Sequence, residues 1–371
     1  MKKLSLFLTA LVLILVSLPG CSSGTTEETH PETDVSDSAQ TSVSEVSEDP
    51  AEPEEPVEET PAEPETEEFV YERVVLLGVD GAGNFFRDTD TPNLDRIFEN
   101  GAVSYDVLTS DPTISAECWG SMLLGVGPEV HKLTNGIVSS TPYPLDSAFP
   151  SLFRRIREVM PDAELGSYCD WNPITYGIVE NNQNVSSATA RDTELIPMIC
   201  DYIRDKKPTF LFTQLDSVDG AGHGHGYGSK EHLNRIHEVD ELVNDVYETI
   251  RETGILDDTL FIVIADHGGT PFNGSGAGHG GWTDAEKLVT FGAAGKTVQH
   301  CSIEEMNIRD LAAIVLYALG IDAPAFDENG WTAQIPSGIF ADETLPEYRD
   351  ISHLTGAAPR RSNVPHTSEL I

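Results

Sequence analysis

The run Phe261-Ile262-Val263-Ile264-Ala265, followed by Asp266-His267 and a glycine-rich segment to Gly281, limits the folds open to this chain. Five consecutive apolar residues leave no polar face, so the segment reads as a strand covered on both sides. That strand passes directly into two good metal ligands. In open α/β sheets the crevice beyond the carboxyl ends of the strands is where ligands bind, and Asp and His offer oxygen and nitrogen donors to a divalent cation. A turn with a solvated Asp and a packed His would give the same short motif. Its meaning depends on what the chain places beside it.

The pattern repeats. Val74 to Val79 is a second apolar strand, ending in Asp80-Gly81. Thr91-Pro92 then supplies an N-cap and an N1 proline for a helix with Leu94, Ile97 and Phe98 at helical spacing, stopped by Gly101. Further strands are expected at Val103 to Leu108, Leu165 to Tyr168, Thr209 to Leu215 and Leu288 to Phe291. Helices are expected after Ser115, from Ser151 to Val159, from Thr193 to Arg204 with a break or bend at Pro197, and from Ile308 to Leu319. The helix from Lys230 to Glu252 is the clearest, with Leu233, Ile236, Val239, Val243, Val246 and Ile250 three and four apart. This alternation predicts an α/β fold: a doubly wound, mainly parallel central sheet with helices on both faces.

The ends of the chain carry a different composition. Lys2-Lys3, an apolar run from Leu4 to Leu18 and then Leu18-Pro19-Gly20-Cys21 resemble a bacterial lipoprotein signal over residues 1–21, with Cys21 as the lipidated mature N-terminus. An uncut transmembrane anchor is the competing reading, but the run is shorter than the roughly 20 residues such a span needs. Residues 22–69 hold 17 of the chain's 62 acidic residues and no Lys or Arg, and read as a disordered acidic tether. Residues 70–340 form the expected catalytic domain, and 341–371 a polar, proline-bearing tail. The chain is expected outside the cytoplasm, lipid-anchored to the cell membrane. Its net charge of -40 repels nucleic-acid phosphates, so no nucleic-acid binding is expected. Cys118, Cys169, Cys200 and Cys301 show no C-x-x-C spacing, which disfavours a zinc knuckle or a dithiol motif.

Four places present chemistry. Asp80 and Asp266-His267 sit at strand ends, the latter followed by His279. Asp219 and His223 lie four apart in a glycine-rich segment expected to be a loop, where Asp216 and His225 are rival ligands. Ser115 opens a helix, where free N–H groups and the dipole stabilise an alkoxide and a phosphoryl oxyanion; a plain N-cap serine is the bland alternative. Three strand ends with Asp or Asp/His and a hydroxyl between them are what a two-metal hydrolase requires, its cations about 4 Å apart.

The ordered pieces GVDG, TPNLDRIF, PTIS with GVGPEVH, DSVDGAGHGHG, ADHGG and GHG resemble the alkaline phosphatase superfamily, within it the type I phosphodiesterase/nucleotide pyrophosphatase branch, over Arg73 to Pro324. The resemblance implies that Asp80, Asp266 and His267 hold one divalent ion together with the nucleophile Ser115. It implies that Asp219, His223 and His279 hold a second, and that Asn135 binds the oxyanion. The mixed donor set favours zinc, with manganese next. Departures are instructive: Ser replaces the usual Thr, and Ala116 replaces an aromatic residue that often stacks on a nucleobase. Only 11 residues separate His267 from His279, so a large insertion of some relatives is missing. The sulfatase signature is absent, since AECW follows Ser115. The expected activity is hydrolysis of a small-molecule phosphodiester through a Ser115 phosphoenzyme. Rival readings are a phosphomonoesterase or phosphonate hydrolase, and a metal-dependent anion-binding lipoprotein without turnover.

Overall fold

The computed structural model describes residues 70–273 and 276–351. The expected leader, Cys21 and the acidic tether lie outside the described residues, as does the tail beyond 351.

The strands are β1 (Arg73–Val79), β2 (Ala102–Leu108), β3 (Leu165–Cys169), β4 (Ser186–Ala188), β5 (Phe210–Leu215), β6 (Thr259–Ala265), β7 (Thr270–Asn273), β8 (Gly276–Gly278), β9 (Leu288–Ala294) and β10 (Cys301–Ser302). Eight of them form one sheet in the order β10-β2-β9-β6-β1-β5-β3-β4, while β7 and β8 make a separate hairpin. Neighbours pair in parallel except β9, which runs antiparallel to both β6 and β2. The sheet is therefore mainly parallel, as the alternation of elements predicts.

The helices are α1 (Pro92–Phe98), α2 (Ser115–Leu124), α3 (Pro128–His131), α4 (Asn135–Ser140), α5 (Leu152–Val159), α6 (Pro173–Gly177), α7 (Asp192–Lys206), α8 (Ser217–His225), α9 (Lys230–Glu252), α10 (Asp284–Lys287) and α11 (Asp310–Ala318). One face of the sheet is covered by α1 and α9, whose Phe98 and Tyr247 rings meet Phe261 of β6 at 6.5 and 5.2 Å. The other is covered by α2 and α5, where Trp119 and Phe153 meet Phe212 and Phe210 of β5 at 5.7 and 5.0 Å. Both layers are needed because every residue of β6 is buried. Each such large apolar side chain contributes about 1.5–3 kcal/mol when removed from water.

Register sets the level of the site. Val79 pairs with Leu215 on one side and with Ala265 on the other. Asp80, Asp216 and Asp266 are the next residues, so three carboxylates leave the sheet side by side. Gly81 follows Asp80 with φ +69°, and a Cβ there would lie 2.7 Å from the Asp219 backbone. A side chain at this position would push α8 off the strand end.

Three local expectations are corrected. The segment after β5 is helical: Asp216 and Ser217 N–H donate to the Asp192 carboxylate at 3.0 and 3.1 Å, and α8 packs along α9. These long-range contacts outweigh a helix-propensity cost of about 1 kcal/mol per glycine. At Pro197 the chain does not break, because α7 runs through it with Leu195, Ile196, Ile199 and Ile203 buried. Thr91 makes no side-chain cap on α1; the Asp240 carboxylate of α9 accepts from Asn93 and Leu94 N–H at 3.1 and 2.8 Å instead.

Residues 331–351 lie on the domain. Trp331, Ile339, Phe340 and Ile351 are buried, and the Tyr348 hydroxyl donates to Asp310 of α11 at 2.6 Å. The four cysteines among the described residues are free thiols. No helix among them is long and apolar enough to cross a membrane.

Replacing the remote cap tests its weight. Asp240→Ala is expected to lower the unfolding free energy by about 1–3 kcal/mol, since it strands two helix N–H groups, and Thr91→Ala by less. Urea denaturation of the two variants compares them, and a larger loss for Thr91→Ala would reverse the assignment of the cap.

Candidate active site

Asp80 is buried at the end of β1 and its two oxygens are used differently. Oδ2 accepts from the Trp119 indole at 3.0 Å and from the Gln214 amide at 2.9 Å. Oδ1 has no hydrogen-bond partner among the described residues. The indole reaches Asp80 because β1 carries Gly78 beneath it, where a Cβ would lie 2.3 Å from the Trp119 ring. Asp266 repeats the arrangement at the end of β6. Its Oδ1 accepts from the N–H groups of Gly81 and His267 at 3.0 and 2.8 Å, while its buried Oδ2 is without a hydrogen-bond partner.

Both unpartnered oxygens face one nitrogen. His267 Nε2 lies 3.4 Å from Asp80 Oδ1 and 3.3 Å from Asp266 Oδ2. The other ring nitrogen, Nδ1, is 3.0 Å from the Gly268 carbonyl and donates to it. That bond assigns the tautomer and leaves a lone pair on Nε2. Asp80, Asp266 and His267 thus form a compact donor cluster whose ligand atoms lie within 4.8 Å of one another.

A second cluster shares His267. Asp219, His267 and His279 also bring ligand atoms within 4.8 Å of one another. The His279 ring stacks on that of His267 at 3.8 Å. Its Nδ1 donates to the Thr113 carbonyl at 2.7 Å, which again leaves Nε2 for a cation. His223 stands one helical turn beyond Asp219 on α8, with Nε2 3.2 Å from Asp219 Oδ2. It touches the cluster through that carboxylate and is half exposed. Asp216 and His225 enter neither cluster; both line a cavity of about 890 Å³ on the opposite face of α8.

Ser115 is the first residue of α2, since extended Ile114 occupies the N-cap position, so the plain capping role does not hold. Its Oγ is 3.3 Å from Nε2 of His267, the residue common to both clusters. Beside it, Asn135 at the start of α4 accepts from Ala116 N–H at 2.9 Å through its side-chain oxygen. That bond directs the amide and keeps its NH2 donors for another acceptor. Thr113 joins the serine segment to the His279 loop: its hydroxyl donates to the Gly281 carbonyl at 3.0 Å and accepts from Gly280 N–H at 2.8 Å.

The charges do not balance without a cation. Burial, and then the neighbouring charges of Asp266, Asp219 and Asp216, hold the Asp80 carboxyl well above the usual range. Burial together with the charge of Asp219 pushes Asp266 up to about 7. Burial alone would also raise Asp219, but the hydrogen bond with His223 and the charges of His267 and His279 hold it low. Burial shifts His267 and His279 downward, toward the unprotonated ring that can ligate. Two buried carboxylate oxygens without donors, beside two imidazoles whose Nδ1 is engaged by a carbonyl and whose Nε2 keeps its lone pair, are the donor set of a divalent metal centre, and these residues fit one.

The side chains that orient Asp80, Gln214 and Trp119, lie outside the motifs that present the candidate ligands. Gln214 carries a signal, being a long polar side chain in the buried strand β5, whose other residues are Thr213 and four apolar ones. Nothing in the local sequence pattern around Trp119 points to a carboxylate partner.

A family model for type I phosphodiesterase/nucleotide pyrophosphatase matches residues 74–148 and 159–313. The chain is 26% identical over 271 residues to GPI ethanolamine phosphate transferase 1 of Neurospora crassa, covering 62% of this chain and 26% of that protein. It is 23% identical over 221 residues to bis(5'-adenosyl)-triphosphatase enpp4 of Mus musculus, covering 53% of this chain and 47% of that one. The chain therefore spans less than half the length of these two relatives. Murine ectonucleotide pyrophosphatase/phosphodiesterase 5 has a similar fold, with a TM-score of 0.56 at 15% identity over 69% of this chain and 97% of that chain. With most of the domain matched by the family model, the chain belongs to the type I phosphodiesterase/nucleotide pyrophosphatase family.

Proposed function

We propose that the chain is a metal-dependent phosphodiesterase with Ser115 as its nucleophile. The observation that supports this most directly is the 3.3 Å approach of Ser115 Oγ to Nε2 of His267, the residue shared by both carboxylate-histidine clusters. Asp80, Asp266 and His267 would hold a first ion beside the serine; Asp219 and His279, with His223, would hold a second. The donor chemistry favours zinc, then manganese. Such ions, when bound, favour the ionised hydroxyl and screen charge building on the phosphoryl and leaving oxygens.

The chain's own groups do the rest. Ser115 Oγ attacks phosphorus, an Oγ–P bond forms as the bond to the leaving oxygen breaks, and the serine proton is lost to solvent. The N-terminus of α2 favours negative charge at this point. Asn135 donates its NH2 to a phosphoryl oxygen, in the manner of an oxyanion-hole amide. Water then attacks the phosphoserine on phosphorus and releases Ser115. Ala116 offers no ring for stacking, which favours a small phosphodiester over a nucleotide bound by its base.

A second reading has a specific support, the likeness to proteins named GPI ethanolamine phosphate transferase 1. There the same phosphoserine would pass its phosphoryl group to an alcohol in place of water. The sequence features around Cys21 support a lipid anchor that would hold the chain outside the cytoplasm, with the acidic segment as spacer.

Three outcomes are expected. Ser115→Ala abolishes turnover of bis(p-nitrophenyl) phosphate, a loss of at least about 10³-fold, with metal content unchanged at two ions per chain; chelator abolishes turnover of the wild type, and a variant with wild-type rate would remove Ser115 as nucleophile. With glycerol present, the hydrolase yields free phosphate monoester, whereas a glycerol-bearing diester as the main product would favour the transferase. In a bacterial host, Cys21→Ser moves the chain from the membrane to the soluble fraction, and retention at the membrane would overturn the lipid anchor.

A further inference from the structure

Tyr227 follows α8 and is 1% exposed, although it carries a hydroxyl. A buried tyrosine needs a partner for that group. Its partner here is Asp219: the hydroxyl donates to Oδ1 at 2.6 Å. The ring is seated by two glycines. A Cβ at Gly222 of α8 or at Gly269 after β6 would each lie 2.4 Å from the ring, so the tyrosine fills a slot cut for it between these segments. Around it stand three imidazoles, those of His223, His232 and His279, with ring centres at 5.7, 5.3 and 6.2 Å. His232 is itself fixed, since Nε2 donates to the Gly81 carbonyl at 3.1 Å and Nδ1 accepts from Gly228 N–H at 3.3 Å.

Of the carboxylates around the two clusters, Asp80 is held by an indole and an amide and Asp266 by backbone N–H groups, and neither touches Tyr227. Asp219 Oδ1 accepts its one side-chain hydrogen bond from the phenol and lies 4.0 Å from His279 Nε2, while Oδ2 faces His223 Nε2 at 3.2 Å. A donor on one oxygen fixes the carboxylate plane and leaves the other oxygen to ligate, which is how groups behind a metal ligand set its orientation and affinity. We propose that Tyr227 is a positioning residue that governs the second ion alone, by holding Asp219 through its hydroxyl; this rests on the two-ion reading of the site. The slot formed by Gly222 and Gly269 secures the ring, and the hydroxyl carries the effect.

Tyr227→Phe keeps the ring in its slot and removes only the hydroxyl. The full chain, wild type and variant, is stripped with chelator and titrated separately with Zn²⁺ and Mn²⁺ against a competing indicator. Bound metal per chain and kcat on bis(p-nitrophenyl) phosphate are then read. The expected result is an unchanged first affinity, a second affinity weaker by about 10-fold or more, and a rate that recovers toward wild type as free metal is raised. Equal weakening of both ions would mean a merely structural role and would overturn the proposal, as would an unchanged second affinity in a wild type that binds two. A wild type that takes up fewer than two ions would overturn the two-ion reading itself, and this inference with it.

Discussion

Two carboxylate oxygens, Asp80 Oδ1 and Asp266 Oδ2, lie buried side by side with no hydrogen-bond donor among the described residues. Leaving such atoms unmet costs more than most single contacts contribute, and folding tolerates it only where something else restores the balance. Around this pair the chain spends its remaining hydrogen-bonding capacity on the other oxygen of each carboxylate. Trp119 and Gln214 attend to Asp80, and two backbone N–H groups attend to Asp266. The result is a pair of acceptors aimed at the same imidazole nitrogen, a geometry that a cation completes.

The sheet makes this arrangement by register. Because Val79 lies opposite both Leu215 and Ala265, the aspartates that follow those strands share one level. A shift of one residue in either pairing would turn the buried strand faces over and separate the carboxylates. The apolar faces covered by α1 and α9 on one side and α2 and α5 on the other therefore hold the site as well as the core. Helix α2 links the two roles: it buries Trp119 over Gly78, gives Asp80 its indole donor and presents Ser115 at its first turn.

Histidine 267 has a larger part than ligand spacing indicates. The family resemblance implies two ligand sets with His267 in the first, and the folded chain stacks His279 on His267, so that His267 belongs to both candidate clusters. Thr113 and Glu286 hold the loop that brings His279 there: Thr113 through Gly280 and Gly281, and Glu286 by accepting from Gly281 and Thr283 N–H at 2.8 and 2.9 Å. Serine segment and histidine loop are consequently one mechanical unit, and the distance between nucleophile and donors depends on both.

The sequence by itself determined the strands and long helices, because apolar period and stop signals are local and β1, β6 and α9 carry them without interruption. It also determined which side chains stand at the strand ends, since Asp80, Asp216 and Asp266 directly follow apolar runs. Tertiary structure decided the rest. The glycine-rich stretch holding Asp219 and His223 became helix α8 because Asp192 caps it from another element, and α1 took its cap from Asp240 on α9. Gln214 reaches Asp80 across 134 residues of chain. Contacts of that range leave no trace in local spacing: they depend on how strands are ordered and registered, which is settled only when the sheet closes around its core.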